Sequence, residues 1–405
     1  MQQILKRLQG DRVIWMVTFF LSIISILAVY SAISTLAYKA QGNSLKFLVK
    51  HTLMIGIGFF VMYRVHKIHF KYFSKFSSIL IFVAGALLLW ALAFGQNING
   101  ADRWIPIPFI GLTFQPSDFA KICLIVYVAR LLHLYRDRLD NFKEVVVKIL
   151  IPIGAICVLI LPANFSTAAI LAFVCVLLMY MAGVPFRHIN KLILGGIGAI
   201  ILIIAVGELA PPKTLPRYDT WKNRLKNFGK DDSDGNYQVD IAKYAIYEGG
   251  LVPKGPGTGS SRNFLPHPYS DMIYPFIIEE YGSIIGGCGL VLLYLILLLR
   301  TIRFAGKCPR HFGTLTALGL SMLLVIQAMI NMGVAVSLLP TTGQPLPLVS
   351  MGGTSTIFTC LAIGIILSVS RSVFNPEEFE TETEATEELE APLANQVIPA
   401  TPITE

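Results

Sequence analysis

Residues 13–38, 149–186 and 312–370 contain no Asp, Glu, Lys or Arg. About 20 apolar residues span a bilayer as a helix, so each of the last two runs holds two passes. The apolar residues come in blocks and not in amphipathic stripes. With 54% hydrophobic residues, 14% charged residues and a mean hydropathy of +0.63, the chain reads as an integral membrane protein. Lipid leaves every backbone group to be satisfied within its own segment, which makes the spans helices.

Ten spans are predicted, at roughly 13–35, 45–63, 76–94, 115–133, 149–162, 166–183, 192–207, 275–299, 312–337 and 346–370. Every even-numbered exit is basic. Arg64, Lys67 and Lys71 follow the second span, Arg136, Arg138 and Lys143 the fourth, Arg187 and Lys191 the sixth, Arg300 and Arg303 the eighth, and Arg371 the tenth. The positive-inside rule then puts both termini in the cytoplasm. It also accounts for the basic surplus, which sits in short loops and excludes nucleic acid as a partner. Lys46 and Lys50 shorten the second span and are expected to snorkel outward. The first run is too long for the apolar region of a signal peptide and reads as an uncleaved helix.

Three units follow: an all-α membrane domain over 1–374, a long extracytoplasmic loop over 208–274 between helices 7 and 8, and an acidic tail over 375–405. Nine glutamates and no Lys or Arg follow Arg371, so the tail is expected to be disordered and cytoplasmic. The six cysteines show neither a disulfide framework nor metal-ligand spacing.

Charge near the membrane is costly and marks a partner or a wet cavity. Asp118 lies in the first turn of the fourth span with Lys121 three residues on, which fits a structural ion pair or a site. Asp271 precedes the eighth span, and Glu279 and Glu280 lie at its start. Arg103, Lys121, Arg217, Arg224 and Lys254 are the outward cations able to meet a diphosphate. No phosphate loop, His-Glu-x-x-His or Gly-x-Ser-x-Gly motif occurs. An acid with cations in a membrane cavity suits chemistry on an anionic lipid, or transport of one.

Four ordered motifs resemble the SEDS family (shape, elongation, division and sporulation): "GADRWIPIPFIGLTFQPSDFAK", "DGNYQ", "GGLVPKGPGTGSSRNFLPHPYSD" running into "IIEEYG", and "NMGVAVSLLPTTGQPLPLVSMGGTS". The resemblance covers nearly the whole chain except the tail. It implies a ten-helix peptidoglycan glycosyltransferase that polymerises lipid II, an undecaprenyl-diphosphate-linked disaccharide-pentapeptide, at the outer face of the bacterial cytoplasmic membrane. It implies Asp271 as the catalytic residue, and Asp118, Lys121 and Arg103 at the substrate. Gln115, Arg217, Arg224, Glu279, Glu280 and Ser350 complete the candidate cavity. A class B penicillin-binding protein (a transpeptidase), divisome proteins, membrane lipid and the nascent glycan are the implied partners. No cofactor is certain, and a divalent cation, Mg or Mn, is an additional candidate with no assigned ligands. The stretches "TTGQPLPLVSMGGTS" and "SILAVYSA" are closer to the FtsW branch than to RodA, which implies a division role. The chain departs from the family at His267, Tyr269 and Ser270, where Glu, His and Thr are usual, and at Met351. The alternatives are a lipid II flippase or transporter, a RodA-like elongation polymerase and a division scaffold.

Overall fold

The computed structural model describes residues 8–39, 44–98, 101–107, 112–209, 217–228, 237–264 and 269–376. Among them, helices lie on all the predicted runs. The first seven are α1 Arg12–Lys39, α2 Ser44–Val65, α3 Phe70–Phe94, α4 Pro116–Leu134, α5 Ile151–Ile160 behind a π-helical turn Val145–Leu150, α6 Phe165–Met181 and α7 Phe186–Leu209. The long loop holds two more helices, α8 Tyr218–Asn227 and α9 Tyr237–Gly249. Then α10 Ile273–Tyr281 continues through a π-helical turn Gly282–Cys288 into α11 Gly289–Ala305, followed by α12 His311–Ala335 and α13 Thr354–Phe374. Seven helical segments are long and apolar enough to cross a membrane by length and composition. The tail beyond residue 376 and the residues Leu265–Pro268, with His267, lie outside the described residues.

The stretch 95–113, expected as a loop, forms a small antiparallel sheet of β1 Gln96–Ile98, β2 Ala101–Ile107 and β3 Leu112–Phe114, in that order, with Ile105 opposite Phe114. Strands this short leave no readable period-2 pattern.

Helix α12 is the centre of the bundle, buried along most of its length and packed by α4, α6, α11 and α13. At Gly319 a Cβ would stand 2.6 Å from Ile125 and 3.2 Å from Leu178, so only a glycine lets α4 and α6 approach this closely. By contrast, α7 faces outward along nearly all its length, with only His188 and Ile189 buried. An apolar helix exposed all round is a lipid-facing one.

The largest boundary difference is at the last helix. The tenth helix starts at Thr354, and the chain from Val336 to Gly353 is not helical. Pro345 and Pro347 cannot donate to a helical ladder, and Leu348 takes φ +67°. Unsatisfied backbone groups cost several kcal/mol each in an apolar medium, so such a segment survives at depth only inside protein. Helices on every side meet it. Asn331 Nδ2 donates to the Gln344 carbonyl at 2.7 Å, Gln327 Nε2 to Pro345 at 3.0 Å, the Tyr294 hydroxyl to Pro347 at 2.6 Å and the Ser25 hydroxyl to Val349 at 2.7 Å. The Gln344 side chain in turn donates to Thr167 Oγ1 of α6 at 2.7 Å. Four carbonyls of the irregular backbone are thus bonded by side chains of the surrounding helices.

The opposite end of the bundle is held by charge. Arg300 Nε meets Asp11 Oδ2 at 2.8 Å, the Asp11 amide donates to Ser370 Oγ at 3.0 Å, and the Gly10 amide to Asn375 Oδ1 at 3.0 Å. Arg371, 1% exposed, donates from Nη1 to the carbonyls of His66 and Lys67 just beyond α2. Arg371→Leu removes that donor and leaves two carbonyls unmet. The expected loss is about 1–3 kcal/mol of stability, read as a lower thermal unfolding midpoint in detergent. A parent-like midpoint would show that Arg371 holds nothing.

Candidate functional site

Asp271 stands between a turn and the first residue of α10, and three successive carbonyls ahead of that helix are tied down. The Met351 amide donates to the Tyr269 carbonyl at 2.9 Å, Ser350 Oγ to Ser270 at 2.5 Å, and Asn331 Nδ2 to Asp271 at 2.8 Å. Ser350 Oγ also accepts from the Leu346 amide at 2.8 Å, so it is buried in a bracing role. Both neighbours of Asn331 are carbonyls, so its amide nitrogen must face them, and its buried Oδ1 has no partner among the described residues. The Asp271 carboxylate lies beside Gly343, whose added Cβ would be 3.9 Å from Oδ2. Gly343 takes φ +64°, which a side chain would strain.

A cavity of about 320 Å³ opens next to this turn. Tyr269, Ser270, Gly343 and Gln344 form one wall, and Lys50, Trp104, Gln115, Asp118 and Asn164 reach it from α2, β2, α4 and the turn before α6. Three of the lining residues, Gln115, Asn164 and Gly353, are the N-caps of α4, α6 and α13. The amino ends of three helices therefore converge on one space. Each carries unpaired N–H groups and a partial positive charge, which makes the cavity receptive to an anion.

Asp118 lines the cavity in the first turn of α4. Lys121, one turn deeper, pairs with it at 2.8 Å and donates to Gln327 Oε1 at 3.3 Å, with both side chains of the ion pair buried. The structural pair expected of these two residues is present, with Asp118 on the cavity wall. On the outer side of Asp271 lies Arg224, which donates to the Thr341 carbonyl at 3.2 Å. Burial lowers the Arg224 pKa and the Arg217 charge lowers it further, while Asp271 opposes both. Burial, and then Asp271, raises that of the Tyr269 phenol. Arg217 itself donates to the Ala163 carbonyl at 2.8 Å and anchors α8 beside Asn164. The side chain of Arg103 on β2 lies outside the described residues.

Glu279 and Glu280 are brought elsewhere. Glu279 Oε1 accepts from the amides of Ser260 and Ser261 at 2.7 and 3.1 Å, and its Oε2 from the Ser261 hydroxyl. Glu280 Oε1 accepts from the Gly257 amide at 2.8 Å and from Ser31 Oγ at 2.5 Å. Both are buried fasteners for the loop "KGPGTGSS", and neither lines the cavity. Their expected place at the substrate is corrected on that ground: both Glu279 oxygens and Glu280 Oε1 are taken up by local donors.

Sequence reasoning missed Lys50, Trp104, Asn331 and Gln344. The amides had a signal, since lone Asn and Gln residues in the charge-free run 312–370 each need a partner. A second depression, apolar and of about 260 Å³, runs along α6, α8 and α12 past Phe165, Ile170, Trp221, Leu225 and Ile330, with Arg224 and Thr341 at its edge. Among the described residues no group of three or more His, Cys, Asp or Glu side chains comes together.

The polar cavity and the apolar groove are lined by successive residues of one stretch, Thr341 and Thr342 on the groove and Gly343 and Gln344 on the cavity. Comparisons with known proteins give the family. The family model described as "Cell cycle protein", for FtsW, RodA and SpoVE, matches residues 11–375. Stage V sporulation protein E of Bacillus subtilis is 30% identical over 372 residues, covering 90% of this chain and 98% of that protein. A probable peptidoglycan glycosyltransferase FtsW of Hydrogenovibrio crunogenus is 30% identical over 346 residues, covering 84% and 86%. Among solved structures, one chain of a peptidoglycan synthase complex that coordinates polymerization and crosslinking superposes with a TM-score of 0.71 at 22% identity, covering 90% of this chain and 99% of that one. The rod shape determining protein RodA of Thermus thermophilus gives 0.63 at 22% identity, covering 90% and 97%, so the fold is shared. The chain is a multi-pass membrane protein of the FtsW/RodA/SpoVE family.

Proposed function

We propose that this protein is a peptidoglycan glycosyltransferase that polymerises lipid II. The observation that carries the reading is the fixing of Asp271 by its own and neighbouring carbonyls beside a cavity built from helix amino ends. In the reaction, the 4-hydroxyl oxygen of the acceptor sugar attacks the anomeric carbon of the donor and inverts it. The bond from that carbon to the diphosphate breaks, the carboxylate of Asp271 takes the hydroxyl proton, and undecaprenyl diphosphate leaves with the electron pair. The converging amino ends and Lys121 stabilise the charge that develops on the leaving group, a pre-set arrangement needing no reorganisation. The apolar groove beside Arg224 suits the isoprenoid chain of a substrate.

Relatives named FtsW and the stretches "TTGQPLPLVSMGGTS" and "SILAVYSA" favour division over elongation. The same reading places ten spans in the bacterial cytoplasmic membrane with both ends in the cytoplasm and residues 208–274 outside. A class B penicillin-binding protein is the proposed partner, and co-purification with the division transpeptidase is the check on that assignment. The acidic tail is no part of the chemistry: removing residues 377–405 is expected to leave polymerisation intact, and its loss would favour a scaffold.

Asp271→Asn keeps the side-chain shape but removes the proton acceptor. Polymerisation of labelled lipid II by purified protein with its partner is expected to fall about 10²- to 10⁴-fold with folding unchanged. Parent-rate polymerisation by this variant would remove Asp271 from the mechanism. Asn331→Leu releases the carbonyls of Asp271 and Gln344 together. A misplacement of the acid of about 1 Å costs roughly 10²-fold, seen in kcat with KM little changed. An unchanged kcat would show that Asn331 does not set the position of Asp271.

A further inference from the structure

We infer that His51 is a positioning residue for Asp271: it turns the Ser25 hydroxyl onto the irregular segment that holds the Asp271 turn. The inference rests on the glycosyltransferase reading of that acid. In α1 the buried hydroxyls of Thr18 and Ser22 donate to the carbonyls four residues back, Ile14 at 2.8 Å and Thr18 at 2.9 Å. A helix offers every Ser and Thr this local partner. Ser25 leaves it and donates instead to the Val349 carbonyl at 2.7 Å, across to the segment between α12 and α13. A hydroxyl that gives up a local acceptor is directed by another group. That group is His51 of α2, whose Nε2 stands 2.8 Å from Ser25 Oγ.

Counting hydrogens fixes the roles. Ser25 has one hydroxyl hydrogen and a carbonyl only accepts, so that hydrogen lies toward Val349. The hydrogen in the contact with His51 then comes from the ring: Nε2–H donates to Oγ, and the imidazole is the Nε2–H tautomer. Its Nδ1 is buried and meets no partner among the described residues, so Nε2 carries the hydrogen bonding of the ring. His51 opens the buried stripe of α2 that continues through Met54, Ile55, Met62 and Val65. An aliphatic side chain would serve packing at such a position without burying a polar ring. The reach to Asp271 is short. Val349 precedes Ser350, whose Oγ donates to the Ser270 carbonyl, one residue before the acid. A hydroxyl that accepts a hydrogen bond is also a stronger donor, so the ring, the serine and the carbonyl reinforce one another. His51 and Ser25 hold the Val349 end of the segment as Asn331 holds the Gln344 end. Without the ring, Ser25 can return to the Leu21 carbonyl of its own helix, and Val349 loses its donor.

The test uses the full chain with its partner and the variants His51→Leu, His51→Asn, His51→Gln and Ser25→Ala. A glutamine amide nitrogen extends as far as Nε2, an asparagine one only as far as Nδ1. The Leu and Asn variants are expected to lower kcat for lipid II polymerisation about 10- to 100-fold with KM little changed, the size of effect that a small misplacement of the acid produces. His51→Gln is expected to stay within several-fold of the parent. Ser25→Ala is expected to match His51→Leu, and the double variant to be no worse than either, because both remove one relay. Nitrogen-15 spectra of histidine-labelled protein are expected to show a hydrogen on Nε2 and none on Nδ1 of His51, the signal assigned by its absence from His51→Gln. A hydrogen on Nδ1, equal losses of kcat in the Asn and Gln variants, or additive losses from positions 25 and 51 would each overturn the inference. So would a lower thermal midpoint with parent-like kcat in His51→Leu, since the ring would then only pack. If the parent makes no polymer under any condition, the glycosyltransferase reading fails, and the spectra with a double-variant cycle on the thermal midpoint still decide whether His51 directs Ser25. The Asn and Gln pair keeps the comparison valid if His51→Leu fails to fold.

Discussion

A non-helical chain segment deep in an apolar bundle has to find hydrogen bonds for its backbone groups, and this protein supplies side-chain donors to four carbonyls between Gln344 and Val349. Three helices supply them: Ser25 from α1, Tyr294 from α11, and Gln327 and Asn331 from α12. Bonding the segment fixes the site as well. The same Asn331 amide that satisfies Gln344 holds the Asp271 carbonyl, and Ser350, at the far end of the segment, holds Ser270. The acid and the cavity wall opposite it cannot shift independently, because one set of side chains secures both.

The electrostatics follow from where the helices begin. Helices α4, α6 and α13 start at the cavity, so their partial positive charges add there. Charge that would be costly to hold with side chains alone is supplied by backbone. This leaves the buried carboxylates Glu279 and Glu280 for another task, the fastening of the Gly255–Ser261 loop to the head of α10. Acids two turns apart along one stretch of chain are thus placed differently, Asp271 beside the cavity wall at Gly343 and Glu279 and Glu280 against the loop.

Much of this was legible in the sequence, for identifiable reasons. Charge-free runs and basic exits gave the helices, because the bilayer sets their length and composition. Asp271, Asp118 and Lys121 stood out because charge at a membrane boundary needs a cause. The start of the tenth helix was misplaced because Leu346, Leu348 and Val349 continue an apolar run, although the interleaved prolines forbid the ladder. Glu279 and Glu280 were misassigned because nothing in a linear sequence shows that amides about 20 residues upstream fold back onto them. The direction of Lys50 depends on which helix packs beside α2, and that is a property of the assembled bundle.

The most direct test of the central claim is a structure of the full chain bound to undecaprenyl diphosphate. The account predicts the diphosphate in the cavity, within hydrogen-bond reach of the amino ends of α4, α6 or α13, with the Asp271 carboxylate facing the position of the departed sugar. A diphosphate bound at the other end of the bundle, near Arg300 and Arg371, or an Asp271 carboxylate turned away from an occupied cavity, would contradict it.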